Sequence, residues 1–222
     1  MTKNEIETIR TEILGYDSCL VSDALETLGL PNGVKGISRQ TTRQRIFGRA
    51  ITVRLEAFRG DIPKRHLGTA AIDCAAPGDV IVVEHHARSD CAGWGGLLST
   101  AALAKGISGV VVDGLARDID ESEELGFPVF ARGTTPVTAR NKVVETSTNQ
   151  PISLADVQVN PGDFVLADGS GVAVIPQDRL NDVLEVARRM LALENGIREA
   201  IHNGKPISLA MNESYEKAIQ PQ

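Results

Sequence analysis

Between residues 77 and 131 the chain alternates in a way that few folds accommodate. Pro77-Gly78-Asp79 is a turn phrase that launches the apolar run Val80-Ile81-Val82-Val83, and a helix-length segment from Trp94 to Lys105 follows. A second run, Val110 to Asp113, a short helical stretch, Asp120 to Leu125, and a third strand-like run, Val129 to Ala131, complete the series. Short β-branched runs bounded by turn residues read as buried strands. Strand and helix in strict alternation predict βαβ crossovers, and therefore a sheet that is at least partly parallel. The expected class is α/β.

The flanking segments read as further layers. Ile6, Ile9 and Ile13 give a helix over residues 4–13; Ser22 is placed to cap a short second helix, Asp23 to Leu28, closed by Gly29. Pro31 to Arg43 reads as a loop before the strand Arg49 to Leu55, and Lys64 to Cys74 as a helix. The turn phrase recurs as Pro161-Gly162-Asp163. It launches Phe164 to Ala167, which Asp168-Gly169-Ser170-Gly171 turns into Val172 to Ile175, a hairpin pattern. Such a recurrence is more often shared turn chemistry than duplication. Gln177 to Asn203 keeps one apolar face through Leu180, Val183, Leu184, Ala187, Met190, Leu191, Ile197 and Ile201, with Gly196 a candidate kink. No low-complexity linker divides the 222 residues, so one domain is expected over 1–222, with a helical extension from about 177.

Charge and cysteine usage narrow the partners. Lys+Arg 23 against Asp+Glu 29 gives −6, which argues against a general grip on nucleic acid or anionic lipid. Cys19, Cys74 and Cys91 form no Cys-x-x-Cys pair, the first ten residues are polar, and no apolar run approaches the roughly 20 residues that span a bilayer. A cytoplasmic protein with a small-molecule substrate is expected.

The chemistry concentrates at one place. Gly95 and Gly96 open the helix that begins Trp94-Gly95-Gly96-Leu97-Leu98, leaving backbone N–H groups uncovered where the helix dipole attracts an anion, carboxylate or phosphate. No P-loop or dinucleotide glycine spacing is present, and a glycine pair here also serves close packing of helix on sheet. Arg117-Asp118 follows the strand Val110 to Val112. In a right-handed βαβ unit the strand's C-terminal end shares an edge with the preceding helix start, so both side chains are expected beside the Gly95 to Leu98 amides. Arg suits a bidentate carboxylate or an enolate oxygen, and Asp a hard divalent cation. Alone, an Arg-Asp pair is as well a surface ion pair or a helix cap. His85 and His86 fall on the same edge with opposite orientations; His66 and His202 read as helix-surface residues. Cys91 lies near the site without a base beside it. The acidic run Asp118 to Glu124 reads chiefly as a solvated helix start, with Asp118, and after it Asp120 or Glu121, facing the ligand.

Trp94-Gly95-Gly96-Leu97-Leu98, Gly109 to Gly114 and Arg117-Asp118-Ile119-Asp120-Glu121 together resemble the core of the RraA-like family. Ser22-Asp23-Ala24-Leu25 and the Pro161 to Pro176 hairpin extend the likeness over roughly residues 15–200, and the 20-residue gap between Gly96 and Arg117 is its most specific part. That family holds class II pyruvate aldolases acting on 4-hydroxy-4-methyl-2-oxoglutarate and 4-carboxy-4-hydroxy-2-oxoadipate, and RraA regulators of ribonuclease E. The resemblance implies a β/β/α sandwich of the swivelling-domain type, a homotrimer or dimer of trimers, and a site at a subunit boundary. It implies that the Leu97 and Leu98 amides hold the pyruvate carboxylate, that Arg117 binds the keto or enolate oxygen, and that Asp118 anchors Mg²⁺ or Mn²⁺. A neighbouring subunit's Glu194, or Glu199 on the same helix, would help to order the metal's waters. Many aldolase members carry Asp or Glu where this chain has Gly96, which leaves Asp90 or Glu121 to replace that carboxylate. Oxaloacetate decarboxylation passes through the same enolate and is implied as a side activity.

Overall fold

The computed structural model describes residues 3–60 and 65–211, with the side chains of residues 3–6 excepted. The chain opens with α1 (Lys3–Ile13) and α2 (Ser18–Thr27), followed by β1 (Ser38–Arg39), β2 (Ile46–Ala57), α3 (Thr69–Cys74) and β3 (Val80–Trp94). Next come α4 (Gly96–Ala104), β4 (Gly109–Ala116), α5 (Ile119–Glu124) and β5 (Val129–Thr134). The C-terminal third carries β6 (Val143–Thr148), β7 (Ile152–Leu154), β8 (Val157–Val159), β9 (Phe164–Ala167), β10 (Val172–Ile175), α6 (Leu180–His202) and α7 (Ile207–Ala210).

The expected crossovers are present. β2, β3, β4 and β5 lie side by side and parallel, with Val80 opposite Gly109 and Val110 opposite Val129. Successive side chains of a strand face opposite ways, and both faces of this sheet are covered. Ile81, Val83, Val110 and Val112 pack with Leu98 and Ala102 of α4, whereas Val80, Val82 and Val111 pack with the strands β7 to β10. That double burial explains why the runs are apolar without alternation. β2 is long enough to serve two partners on its far side, β9 at Ile46–Arg49 and β6 at Val53–Ala57. The outer face of β9 and β10, with Phe47 stacked on Phe164 at 5.4 Å, carries α1, α2 and α6.

Several local expectations are corrected. α2 starts at Ser18, not Asp23: Asp17 is the cap, accepting from Leu20 N–H at 2.8 Å. The Ser18 N–H and hydroxyl both donate to buried Asp168, at 2.8 and 2.7 Å, which ties the helix start to the β9-β10 hairpin. Ser22 therefore sits within the helix. The helix expected from Lys64 begins at Thr69, and Lys64 itself lies outside the described residues. The loop Pro31 to Arg43 contains the two-residue β1, paired with β5. α6 runs through Gly196 unbroken.

The two Pro-Gly-Asp phrases share turn chemistry and not the units around them. Gly78 and Gly162 take φ of +89° and +90°, which glycine adopts without strain. Asp79 and Asp163 each accept, through Oδ2, the N–H three residues earlier, at 2.8 and 2.7 Å. One turn then feeds an interior parallel strand, the other an antiparallel hairpin.

Candidate active site

At the C-terminal edge of β3 and β4 the chain brings Gly95, Gly96, Leu97, Leu98, Arg117 and Asp118 around one cleft of about 210 Å³. This is the edge where open α/β sheets bind ligands. The Arg117 N–H donates to Trp94 O at 3.0 Å, which locks the end of β4 to the start of α4. Behind them the Trp94 indole N–H donates to Ser99 Oγ at 3.0 Å, and Ser99 Oγ lies 2.8 Å from Ser122 Oγ, joining α4 to α5. Trp94 also stacks on Phe127 at 6.3 Å.

Asp118 is the hub. Its Oδ2 accepts from the Gly96 N–H at 3.1 Å, and both its oxygens accept from Arg117 Nε, at 3.1 and 3.2 Å. The residue sits at φ +56°, a left-handed conformation that Asp tolerates better than most side chains. With Nε on Asp118, the two terminal nitrogens of Arg117 have no acceptor among the described residues. Of the helix-start amides, Gly96 serves Asp118, and Leu98 and Ser99 both donate to Gly95 O at 3.1 Å. The backbone N–H of Leu97, a residue that is 85% exposed, has no acceptor among the described residues. Of the two amides expected to hold an anion, that of Leu98 is committed to Gly95 O and only that of Leu97 is left without an acceptor among the described residues.

The other candidates separate. His85 and His86 do not line the cleft, because β3 continues past them to Trp94. His85 is wholly buried, with Nε2 3.0 Å from Cys91 O, and a Cβ at Gly114 would collide with its ring. Burial pushes its pKa down, partly offset by the hydrogen bond to Cys91, so it is a neutral core imidazole. His86 turns outward at φ +53° and faces Glu56 at 3.3 Å. Cys91 is buried too, and burial raises its thiol pKa, which leaves no thiolate for nucleophilic work. Asp90 is held by Arg88 at 2.9 and 2.7 Å, which lowers its pKa to about 2, and lies outside the cleft. Glu194 is on α6, paired with Arg198 at 2.6 Å, and within one chain is not among the cleft residues.

Among the cleft residues that escaped the sequence reading, two carry basic side chains. His66, expected on a helix surface, lines the cleft, as does Arg140 from the loop between β5 and β6. Both also line an adjoining cavity of about 450 Å³ that reaches Phe58, Arg65 and Glu145. Arg65 is paired with Glu145 at 3.0 Å, whereas the Arg140 guanidinium has no acidic partner among the described residues. Loop residues drawn together from distant segments leave no local spacing signal.

Comparison with known proteins agrees with this architecture. The RraA-like family, described as Aldolase/RraA, matches residues 18–174, and the chain belongs to it. A Halalkalibacterium halodurans protein named "Putative 4-hydroxy-4-methyl-2-oxoglutarate aldolase" is 36% identical over the full length of both chains. Protein DlpA of Legionella pneumophila is 32% identical over 93% of this chain, which spans only 34% of DlpA. The crystal structure of Streptomyces coelicolor RraAS2, described as an unusual member of the RNase ES inhibitor RraA protein family, superposes with a TM-score of 0.79. It is 26% identical, over 86% of this chain and 96% of that one. Relatives named as aldolases support an aldolase reading in general, and no helix among the described residues is long and apolar enough to cross a membrane.

Proposed function

We propose that this protein is a divalent-metal-dependent lyase that cleaves a 4-hydroxy-2-oxo acid, such as 4-hydroxy-4-methyl-2-oxoglutarate, to pyruvate and a second carbonyl compound. Oxaloacetate decarboxylation would be its side activity. The observation that carries the reading is Asp118, held between the Gly96 amide and Arg117, with the Arg117 terminal nitrogens and the Leu97 amide left without partners on the same cleft.

The site suits a hard cation. Gly95 leaves a cradle that a Cβ would fill, 2.9 Å from Asp118 Oδ2, and carboxylate oxygen is the donor that Mg²⁺ or Mn²⁺ prefers. The described residues of one chain hold no group of three or more His, Cys, Asp and Glu placed for a metal, so a bound ion would have to complete its shell with water, substrate or a neighbouring copy. Asp118 would hold it, with Glu194 of a neighbouring copy assisting, and a bound ion would supply Lewis-acid stabilisation of enolate charge. The chain's own groups do the rest. Leu97 N–H and the positive end of α4 fix the substrate's carboxylate. Arg117 donates to the keto oxygen and strengthens that bond as the oxygen gains charge. A water held by the carboxylates takes the C4 hydroxyl proton as the C3–C4 bond breaks, and a proton returned by the same route to C3 of the resulting enolate gives pyruvate.

Self-assembly as a trimer or dimer of trimers is part of the same proposal. Beyond Met190 no residue of α6 is buried, and Ile201, Ile207, Leu209 and Met211 expose an apolar surface near its far end. Glu194 stands on this unsupported half.

The likeness to RraAS2 favours a second reading, a non-catalytic regulator that binds a ribonuclease or helicase. Pyruvate release from 4-hydroxy-4-methyl-2-oxoglutarate and from oxaloacetate, coupled to lactate dehydrogenase with Mg²⁺ or Mn²⁺ and again with EDTA, decides between them. Metal-dependent release supports the lyase; folded protein that releases none from either acid turns the weight to the regulator.

A further inference from the structure

One exposed charged group, Glu121, has no role in the account above; it shares a surface pocket with Arg117 and Asp118 on the α5 side of these two cleft residues. The Glu121 carboxylate makes no hydrogen bond or ion pair among the described residues, yet it is pressed against the first residue of α4. A Cβ at Gly96 would collide with Oε2 and Cδ of Glu121 and lie 2.8 Å from Oε1. At Gly95 the corresponding obstacle is Asp118 Oδ2. Neither glycine has a positive φ, so backbone freedom does not explain them. The room does: each glycine admits one carboxylate to the start of α4.

The α5 side of the contact gives the same answer. Asp118 and Glu121 stand at the N-cap and N3 positions, the spacing of a capping box, in which the first side chain bonds the N3 amide and the second returns to the N-cap amide. Neither bond forms. Asp118 caps nothing with its side chain and turns to Gly96 and Arg117, while Glu121 leans across to α4. Both carboxylates leave their own helix for the same neighbouring turn. Arg117 is paired with Asp118 alone, and no cation balances Glu121 among the described residues. Asp90, the other acidic residue near this edge, is committed to Arg88.

We propose that Glu121 supplies the second carboxylate of the divalent-cation site, delivered from α5 into space that Gly96 keeps open. The proposal rests on the lyase reading above. It explains how a chain with glycine at position 96 retains two acidic oxygen donors beside Arg117.

The test is Mn²⁺ binding to EDTA-stripped, desalted full-length protein, followed by the electron paramagnetic resonance signal of the free ion. Glu121→Gln is expected to weaken Mn²⁺ binding by about tenfold or more, while Glu124→Gln, an equal loss of charge on the same short helix, changes it by less than about twofold by the same comparison. Gly96→Asp with Glu121→Ala returns a carboxylate from the α4 side and is expected to recover most of the affinity. Glu121→Gln that binds Mn²⁺ like the parent, in protein that still releases pyruvate with metal, overturns this proposal and leaves the lyase reading standing. Parent protein that neither binds Mn²⁺ nor releases pyruvate overturns both.

Discussion

Ser99 and Ser122, both wholly buried, bring their hydroxyls to 2.8 Å and make the joint between α4 and α5. Trp94 Nε1 donates to Ser99, so the chain of hydrogen bonds runs from the end of β3 to the helix that carries Asp118 and Glu121. Gly96 and Asp118 keep their 3.1 Å contact because this joint fixes the two helix starts. Ser122→Ala leaves the Ser99 hydroxyl with one partner fewer in a dry site, which costs about 1–3 kcal/mol. A lower urea midpoint is expected, together with a fall in kcat larger than any change in KM. Unchanged kcat in a destabilised variant would show the joint to be structural only.

In the proposed lyase, Arg117 would stabilise charge that exists only as the enolate forms. Arg117→Ala is therefore expected to lower turnover by on the order of 10²-fold, with little effect on folding, since the side chain is about one-third exposed. Arg117→Lys should recover only part, because an ammonium cannot hold Asp118 through one nitrogen and offer two more in a fixed plane. Pyruvate release under saturating metal measures both, and near-parental turnover in Arg117→Ala would remove the residue from the mechanism.

The parts legible in the sequence are those fixed by local pattern plus topology. Val80 to Val83 and Val110 to Val112 declare themselves because both faces of their strands are buried. Once the crossover is right-handed, Arg117 and Asp118 must meet the Gly95-Gly96 turn. What stayed hidden depends on partners far along the chain. The start of α2 is set by the Asp17 cap together with Asp168, 150 residues from Ser18, which accepts from the Ser18 N–H and hydroxyl, and not by Ser22. The second half of β3 is polar from Glu84 to Asp90 and pairs with β4 through repeated register shifts, so no period marks it as strand. β6, β7 and β8 were not foreseen either, since β7 and β8 are three residues each. Glu121 lay inside an acidic run whose commonest use is a solvated helix start, and only its contact with Gly96 distinguishes it.

Arg140 stands where the cleft opens into the adjoining cavity, beside His66 and without an acidic partner among the described residues. An unpaired guanidinium beyond the reacting centre suits the distal carboxylate of a dicarboxylic oxo acid. Arg140→Ala is expected to raise KM for 4-hydroxy-4-methyl-2-oxoglutarate about tenfold while kcat changes little, the signature of lost uniform binding. A monocarboxylic 4-hydroxy-2-oxo acid should show no such rise. Equal effects on both substrates would place Arg140 elsewhere in the mechanism.

His85 gives the fold a pH dependence of its own. Its ring is packed against Gly93 and Gly114, Nδ1 is buried without a partner, and burial lowers its pKa below the ordinary value near 6.5. Above that value the imidazole is neutral in both folded and unfolded chains and contributes nothing to the pH dependence. Below it the unfolded chain takes up a proton that the folded chain refuses, so stability declines as pH falls from 6.5 toward the lowered folded-state pKa. The urea midpoint should therefore drop between pH 7.5 and pH 5.5. Carboxylates such as Glu12, whose pKa is lowered mainly by its hydrogen bond to Arg188, add a decline at lower pH, so the comparison that isolates the imidazole is His85→Gln. That variant is expected to be less stable at pH 7.5, because it disturbs a close-packed site, but to lose less stability on acidification. An equal pH slope in parent and variant would mean that the imidazole is protonated in the folded core, against the burial that surrounds it.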